Sequence, residues 1–200
     1  YGLVGIGIVN PKQMKRNADA RDGDVLILGK PLGVGILSAA LKKNLLDDAG
    51  YRAMVDATTK LNRPGAELAK LEGVHALTDV TGFGLLGHGL ELARGAQLSA
   101  RIESAKLPVL PGVQALAEQG IFTGASGRNW ASYGEHIQLA STVTDAQKAL
   151  LTDPQTSGGL LVSCAADAVQ QVLKVFADSG FGDAAVIGRM QTGAPKVFVD

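Results

Sequence analysis

Along this chain the spacing of hydrophobic positions switches repeatedly between two and about 3.6 residues, and each switch marks an element. "GLVGIGIV" and "DVLILGK" (Asp24 to Lys30) read as strands, separated by the polar, turn-rich "NPKQMKRNADARDGD". "ILSAALKKNLL" puts Leu37, Ala40, Leu41 and Leu45 on one helical face. Met54, Ala57 and Leu61 mark a second helix. Asn62 is the expected cap of a third, with Pro64 in its first turn, where a missing N–H costs nothing. "VHALTDV" reads as a short strand, and "GLLGHGLELARG" as a helix with Leu86, Leu90 and Ala93 inward and Gly95 as its stop. "AQLSARIE" alternates as a strand, "PGVQALAEQG" is a helix, and "FTGASGRNWASYGEH" is expected to be a long loop. After the strand "HIQLA", Thr144 and Gln147 open a helix with a capping box. The glycine loop "DPQTSGG" then leads into the strand "LLVSC". Val169, Val172, Leu173, Phe176 and Ala177 follow at helical spacing, and "AAVIGRM" and "KVFVD" close the chain as strands. The alternation predicts an α/β layered domain over residues 31–200, with residues 1–30 as the edge of another domain.

Composition narrows the picture. With 46% hydrophobic and 19% charged residues, the 200-residue chain can build a real core. A formal net charge of zero, without basic clusters, argues against nucleic acid or an anionic membrane surface as main partner. No apolar run approaches the roughly 20 residues of a membrane helix. The single cysteine, Cys164, excludes an intrachain disulfide and fits a reducing, cytoplasmic compartment. The chain opens on Tyr1 inside a strand-like run, so a preceding region is expected.

The candidate chemistry lies in "LTDVTGFGLLGH", where Asp79 ends an apolar run and Gly82, Gly84 and Gly87 follow as G-x-G-x-x-G. One reading is a dinucleotide fingerprint, with Glu103 as the acid some 20 residues on. A carboxylate directly before the turn speaks against it, since it would repel a pyrophosphate unless a cation lay between. A second reading uses that carboxylate: Mg²⁺ favours one or two carboxylates plus substrate phosphates, and amides around Thr81, Gly82 and Gly84 at a helix start favour anions. A third is a turn in which Asp79 only caps and the glycines only allow close packing. "TDPQTSGG" adds a second loop, whose Ser157, Gly158 and Gly159 expose backbone amides. Cys164 reads as a buried hydrophobe and His88 as a polar packing residue; Gly29-Lys30 lacks P-loop spacing.

"GDVLILGKPLGVG", "GVHALTDVTGFGLLGHGLEL", "GASGRNWASYG" and "DPQTSGGLL" together resemble, in order and over nearly the whole chain, the C-terminal half of the selenide, water dikinase (selenophosphate synthetase) family. The resemblance implies an α/β C-terminal domain of the aminoimidazole ribonucleotide synthetase-like fold, a mixed sheet with helices packed on it. Before it, residues 1–30 would be a strand-rich remnant of an N-terminal ATP-binding and dimerisation domain. It also implies a cytoplasmic homodimeric enzyme that converts ATP, selenide and water to selenophosphate, AMP and phosphate with Mg²⁺. Asp79 would be a magnesium ligand, and Thr81, Gly82, Gly84, Ser157 and Gly158 the nucleotide contacts. The family's catalytic cysteine or selenocysteine, catalytic lysine and remaining metal aspartates belong to the N-terminal half. Neither Cys164 nor Lys30 matches them, so this stretch alone is expected to be inactive. The alternatives are another ATP-dependent member of the superfamily (a cyclo-ligase or small-molecule kinase), a dinucleotide-binding module, or a purely structural dimerisation domain.

Overall fold

The computed structural model describes Val4 and residues 6–200. Seven strands form one sheet: β1 (Val25–Leu28), β2 (Val74–Asp79), β3 (Ser99–Ile102), β4 (Ile137–Leu139), β5 (Leu160–Cys164), β6 (Ala185–Gln191) and β7 (Val197–Val199). Their order is β2-β5-β1-β6-β3-β7-β4, so β2 and β4 are the two edge strands. The pairings from β2 to β3 are antiparallel, and those of β7 with β3 and β4 are parallel. The mixed α/β sheet matches the expectation.

Side chains alternate across this sheet. Leu26 and Leu28 enter a large core with Ala76 and Leu161, whereas Ile27 enters a second core with Val162 and Cys164. The large core is closed by helices α1 (Val34–Lys42), α4 (Gly84–Ala96), α5 (Val113–Glu118), α6 (Gly124–Tyr133) and α7 (Asp145–Leu151), with α2 (Asp48–Thr59) against its flank. The second core is closed by α3 (Pro64–Leu68) and α8 (Val169–Asp178), through Leu68, Val172 and Phe176. Phe176 is fully buried, and Gly29 makes room for it: a Cβ there would stand 2.6 Å from the ring.

Several local expectations change. The strand expected over residues 2–9 falls partly on residues 2, 3 and 5, outside the described residues; Val4 and residues 6–10 carry no strand, and Val4, Ile6 and Ile8 are exposed. β1 lies inside the sheet, paired with β5 and β6, so the layered domain takes in residues on the N-terminal side of position 30. The expected long loop is largely α6. Its low hydrophobicity hid it, because it buries Ser126, Asn129 and Tyr133, and Thr123 caps it by accepting from the Ser126 amide. Leu41 lies within α1 but is exposed; α1 ends at Lys42 and α2 at Thr59, and Leu45 and Leu61 beyond them are exposed. α4 runs past Gly95 to Ala96 and stops at Gln97, which takes the left-handed conformation (φ 56°). Gly95 instead admits the Ala18 backbone, 2.7 Å from where its Cβ would be. Asn62 does not cap α3; its side chain donates to the Gly158 carbonyl at 2.8 Å.

Candidate functional site

β2 ends where its antiparallel partner β5 begins, with Asp79 opposite Leu160. The loop leaving β2 and the loop entering β5 are therefore neighbours, and they are bonded together. The Val80 amide donates to the Gly159 carbonyl at 2.9 Å, and the Gln155 amide donates to the Thr81 carbonyl at 3.0 Å. Gly158 lies so close under Val80 that a Cβ would collide with the Val80 carbonyl oxygen. Gly84, at φ 69°, approaches the Thr152 and Asp153 backbone, with its Cβ position 2.8 Å from the Thr152 carbonyl carbon. The two glycine segments thus form one assembly.

Other elements take hold of this assembly through its carbonyls. Asn129 on α6 donates its side-chain amide to the Gly82 carbonyl at 2.9 Å and to the Thr152 carbonyl at 3.0 Å. The Tyr133 hydroxyl donates to the Phe83 carbonyl at 2.6 Å. Burial makes the Tyr133 hydroxyl a weaker acid than a free phenol, with loss of solvent as the main cause. Across a trans peptide the N–H points opposite to the C=O. Carbonyls of Thr81 and Gly82 that are held inward therefore turn the amides of Gly82 and Phe83 outward, and neither amide bonds to another described residue.

The DPQTSGG segment divides its work. Its first part closes the N-terminus of α1: Asp153 accepts from the Gly35 and Ile36 amides at 2.9 and 3.3 Å, and Gln155 accepts from Gly33 and Val34 at 3.2 and 3.3 Å. Asp153 is fully buried, which pushes its carboxyl up to about 7; the bonds from Gln155, Ile36 and Gly35 pull the other way without cancelling this. Its second carboxyl oxygen is buried without a partner among the described residues. The later part is held from below. Lys30 is buried and donates to the carbonyls of Ala57, Lys60 and Ser157 at 3.0, 2.6 and 2.6 Å. Burial, and then the Lys60 charge, keep its ammonium below the ordinary lysine value.

Asp79 is exposed at the end of β2, and its carboxylate accepts no hydrogen bond from a described residue. Gly82 and Ser157 are exposed, Thr81 is half-buried, and Gly84 and Gly158 are buried. Ser157 has φ 51°, in the left-handed region. The Thr81 hydroxyl meets His88 Nε2 at 3.2 Å, and His88 Nδ1 meets Glu91 at 3.0 Å, so His88 is a polar packing residue. Cys164 is buried, which raises its thiol to about 12 and makes it inert. Among the described residues no three His, Cys, Asp or Glu side chains gather as a metal cluster. Asn129 and Lys30 were not read as parts of the site from sequence. Asn129 is hidden in the small-residue helix, and Lys30 matches neither P-loop spacing nor the family's catalytic lysine.

The dinucleotide reading fails on topology. A dinucleotide fold needs the strand after the glycine helix parallel to the first and nearby in the same βαβ unit. Here β3, which ends before Glu103, is separated from β2 by β5, β1 and β6. Glu103 pairs with Lys106 at 2.8 Å instead.

The molecule is therefore an α/β protein, with one mixed seven-stranded sheet, helices on both faces and two joined glycine loops beside the edge strand β2.

 The chain belongs to the family described as AIR synthase related protein, C-terminal domain, whose model matches residues 21–200. Among curated relatives it is 91% identical to a selenide, water dikinase of Pseudomonas straminea and 68% identical to one of Paraburkholderia xenovorans, each over 199 residues and 100% of this chain. The chain spans 56% of the length of each of these relatives. Among solved structures, a hydrogenase maturation protein HypE matches with a TM-score of 0.69 at 18% identity, covering 95% of this chain and 52% of that one. A second HypE structure, in complex with ATP, matches with a TM-score of 0.63 at 18% identity, covering 92% of this chain and 49% of that one. Among the described residues no helix is long and apolar enough to cross a membrane.

Proposed function

We propose that this chain is the C-terminal part of a selenophosphate synthetase, which makes selenophosphate, AMP and phosphate from selenide, ATP and water. The observation that carries the reading is the exposed, unengaged carboxylate of Asp79 at the junction of the two glycine loops. The near identity to curated relatives of that name supports the same reading. In the full-length enzyme, a cytoplasmic homodimer, residues before about position 20 lead back into the nucleotide-binding and dimerisation domain.

The donor chemistry of the site fits Mg²⁺ on a polyphosphate. A hard cation is commonly held by one or two carboxylates and completed by phosphate oxygens, and this chain offers one carboxylate with outward amides beside it. Asp79 would hold the ion, whose chemistry there is to screen phosphate charge as the phosphoryl bond breaks. The amides of Gly82 and Phe83 would donate to phosphate oxygens. Ser157 and Gly158 would line the opposite side, fixed by Lys30 and Asn62. The cysteine or selenocysteine nucleophile, the catalytic lysine and the remaining carboxylates would come from the preceding half.

The test is selenophosphate formation followed by phosphorus NMR in the full-length enzyme. Asp79→Asn, folded and dimeric, is expected to lose turnover by at least about 100-fold, in line with the loss of a metal-holding carboxylate. Unchanged turnover would remove the reading. Turnover by the 200-residue chain alone would contradict the division of labour between the halves.

A further inference from the structure

We propose that Asn129 is a positioning residue for nucleotide binding: its side-chain amide sets the glycine turn against the DPQTSGG segment and aims the Phe83 N–H outward. This rests on the selenophosphate synthetase reading and deepens it. Asn129 lies on α6, far in sequence from both loops, and is only 8% exposed. Its single NH₂ group has two hydrogens, and each meets a carbonyl from a different loop, Gly82 and Thr152. No other side chain among the described residues bridges these two carbonyls.

The bond to Gly82 has a directional consequence. The Gly82–Phe83 peptide is trans, so fixing its oxygen toward α6 fixes its N–H on the opposite side. The next carbonyl, of Phe83, is held by Tyr133 from the same helix, one turn on. The preceding one, of Thr81, is held by the Gln155 amide. Three successive carbonyls are thus engaged from the protein side. Only one of them depends on Asn129, and it is the one whose loss would let the Gly82–Phe83 peptide rotate. Gly82 has open space around its Cβ position, so packing does not hold that peptide in place.

The experiment uses the full-length enzyme labelled with ¹⁵N-phenylalanine. Titration with Mg-ATP is expected to shift the Phe83 amide resonance, assigned by its loss in Phe83→Leu. Asn129→Leu keeps the size and removes both donors. It is expected to weaken Mg-ATP binding and raise its KM by about tenfold, the scale of one or two lost hydrogen bonds, with a smaller change in kcat. Asn129→Gln keeps the donors and is expected to recover most of that affinity. A Phe83 resonance that ignores Mg-ATP overturns the proposal, as does an Asn129→Leu enzyme with unchanged affinity or an Asn129→Gln enzyme no better than Asn129→Leu. If Asn129→Leu does not fold, the wild-type Phe83 titration decides. Failure of the underlying reading has a separate signature: Asp79→Asn would then leave Mg-ATP affinity and turnover intact, whatever the Phe83 resonance does.

Discussion

Lys30 and Ser157 are joined across 127 positions of sequence by a 2.6 Å hydrogen bond from a buried ammonium to a backbone carbonyl. The same ammonium also serves Ala57 and Lys60 near the end of α2, so its three protons have three acceptors. One charged side chain therefore ties the DPQTSGG segment to a helix on the flank of the core.

Lys30→Met removes the charge and leaves three carbonyls without that donor. The expected loss of stability is about 2–4 kcal/mol, since several bonds to a charged group go at once. Amide hydrogen exchange should rise first at residues 156–159. Unchanged exchange there would show that Lys30 does not hold the loop.

Asp153 gives stability a pH dependence. Its folded value, about 7, is above the ordinary 3.8, so between these values the folded chain holds a proton that the unfolded chain has released. Stability should therefore fall as pH rises from about 4 to about 7 and level off above, by at most about 4 kcal/mol from this group. Urea unfolding of wild type and Asp153→Asn at a series of pH values checks this. The slope should be flatter in the variant.

The glycines of the two loops should not be equivalent. Gly82→Ala meets open space and should fold with nearly unchanged stability. Gly158→Ala drives a methyl group into the Val80 carbonyl, and Gly84→Ala combines a crowded backbone with φ 69°. Both should destabilise by about 2–4 kcal/mol, from overpacking and backbone strain. Thermal denaturation of the three variants would separate them, and equal midpoints would contradict the packing described.

Phe176→Ala empties the centre of the second core, under Gly29 and beside Ile27 and Val162. It should cost about 3–5 kcal/mol. Denaturant unfolding measures it.

The strands and most helices were legible because their hydrophobic spacing is strong: "LLVSC" is buried throughout, and Leu86, Leu90 and Ala93 all point inward. The capping box at Thr144 and Gln147 is present with both of its bonds. α6 was not legible, because a helix that buries Ser, Asn and Tyr carries little apolar signal. The glycine segments could be picked out by composition. Their mutual contact could not, since it depends on β2 and β5 pairing across some 80 residues. For the same reason nothing local marked Asn129 or Lys30 as anchors: each acts on carbonyls that only the folded chain brings to it.

Because β2 is an edge strand, Asp79 stands at the rim of the sheet rather than over its middle. A second body can close over that carboxylate from the side without prying apart any strand. Under the proposed function, a composite pocket built this way would ask little rearrangement of this half.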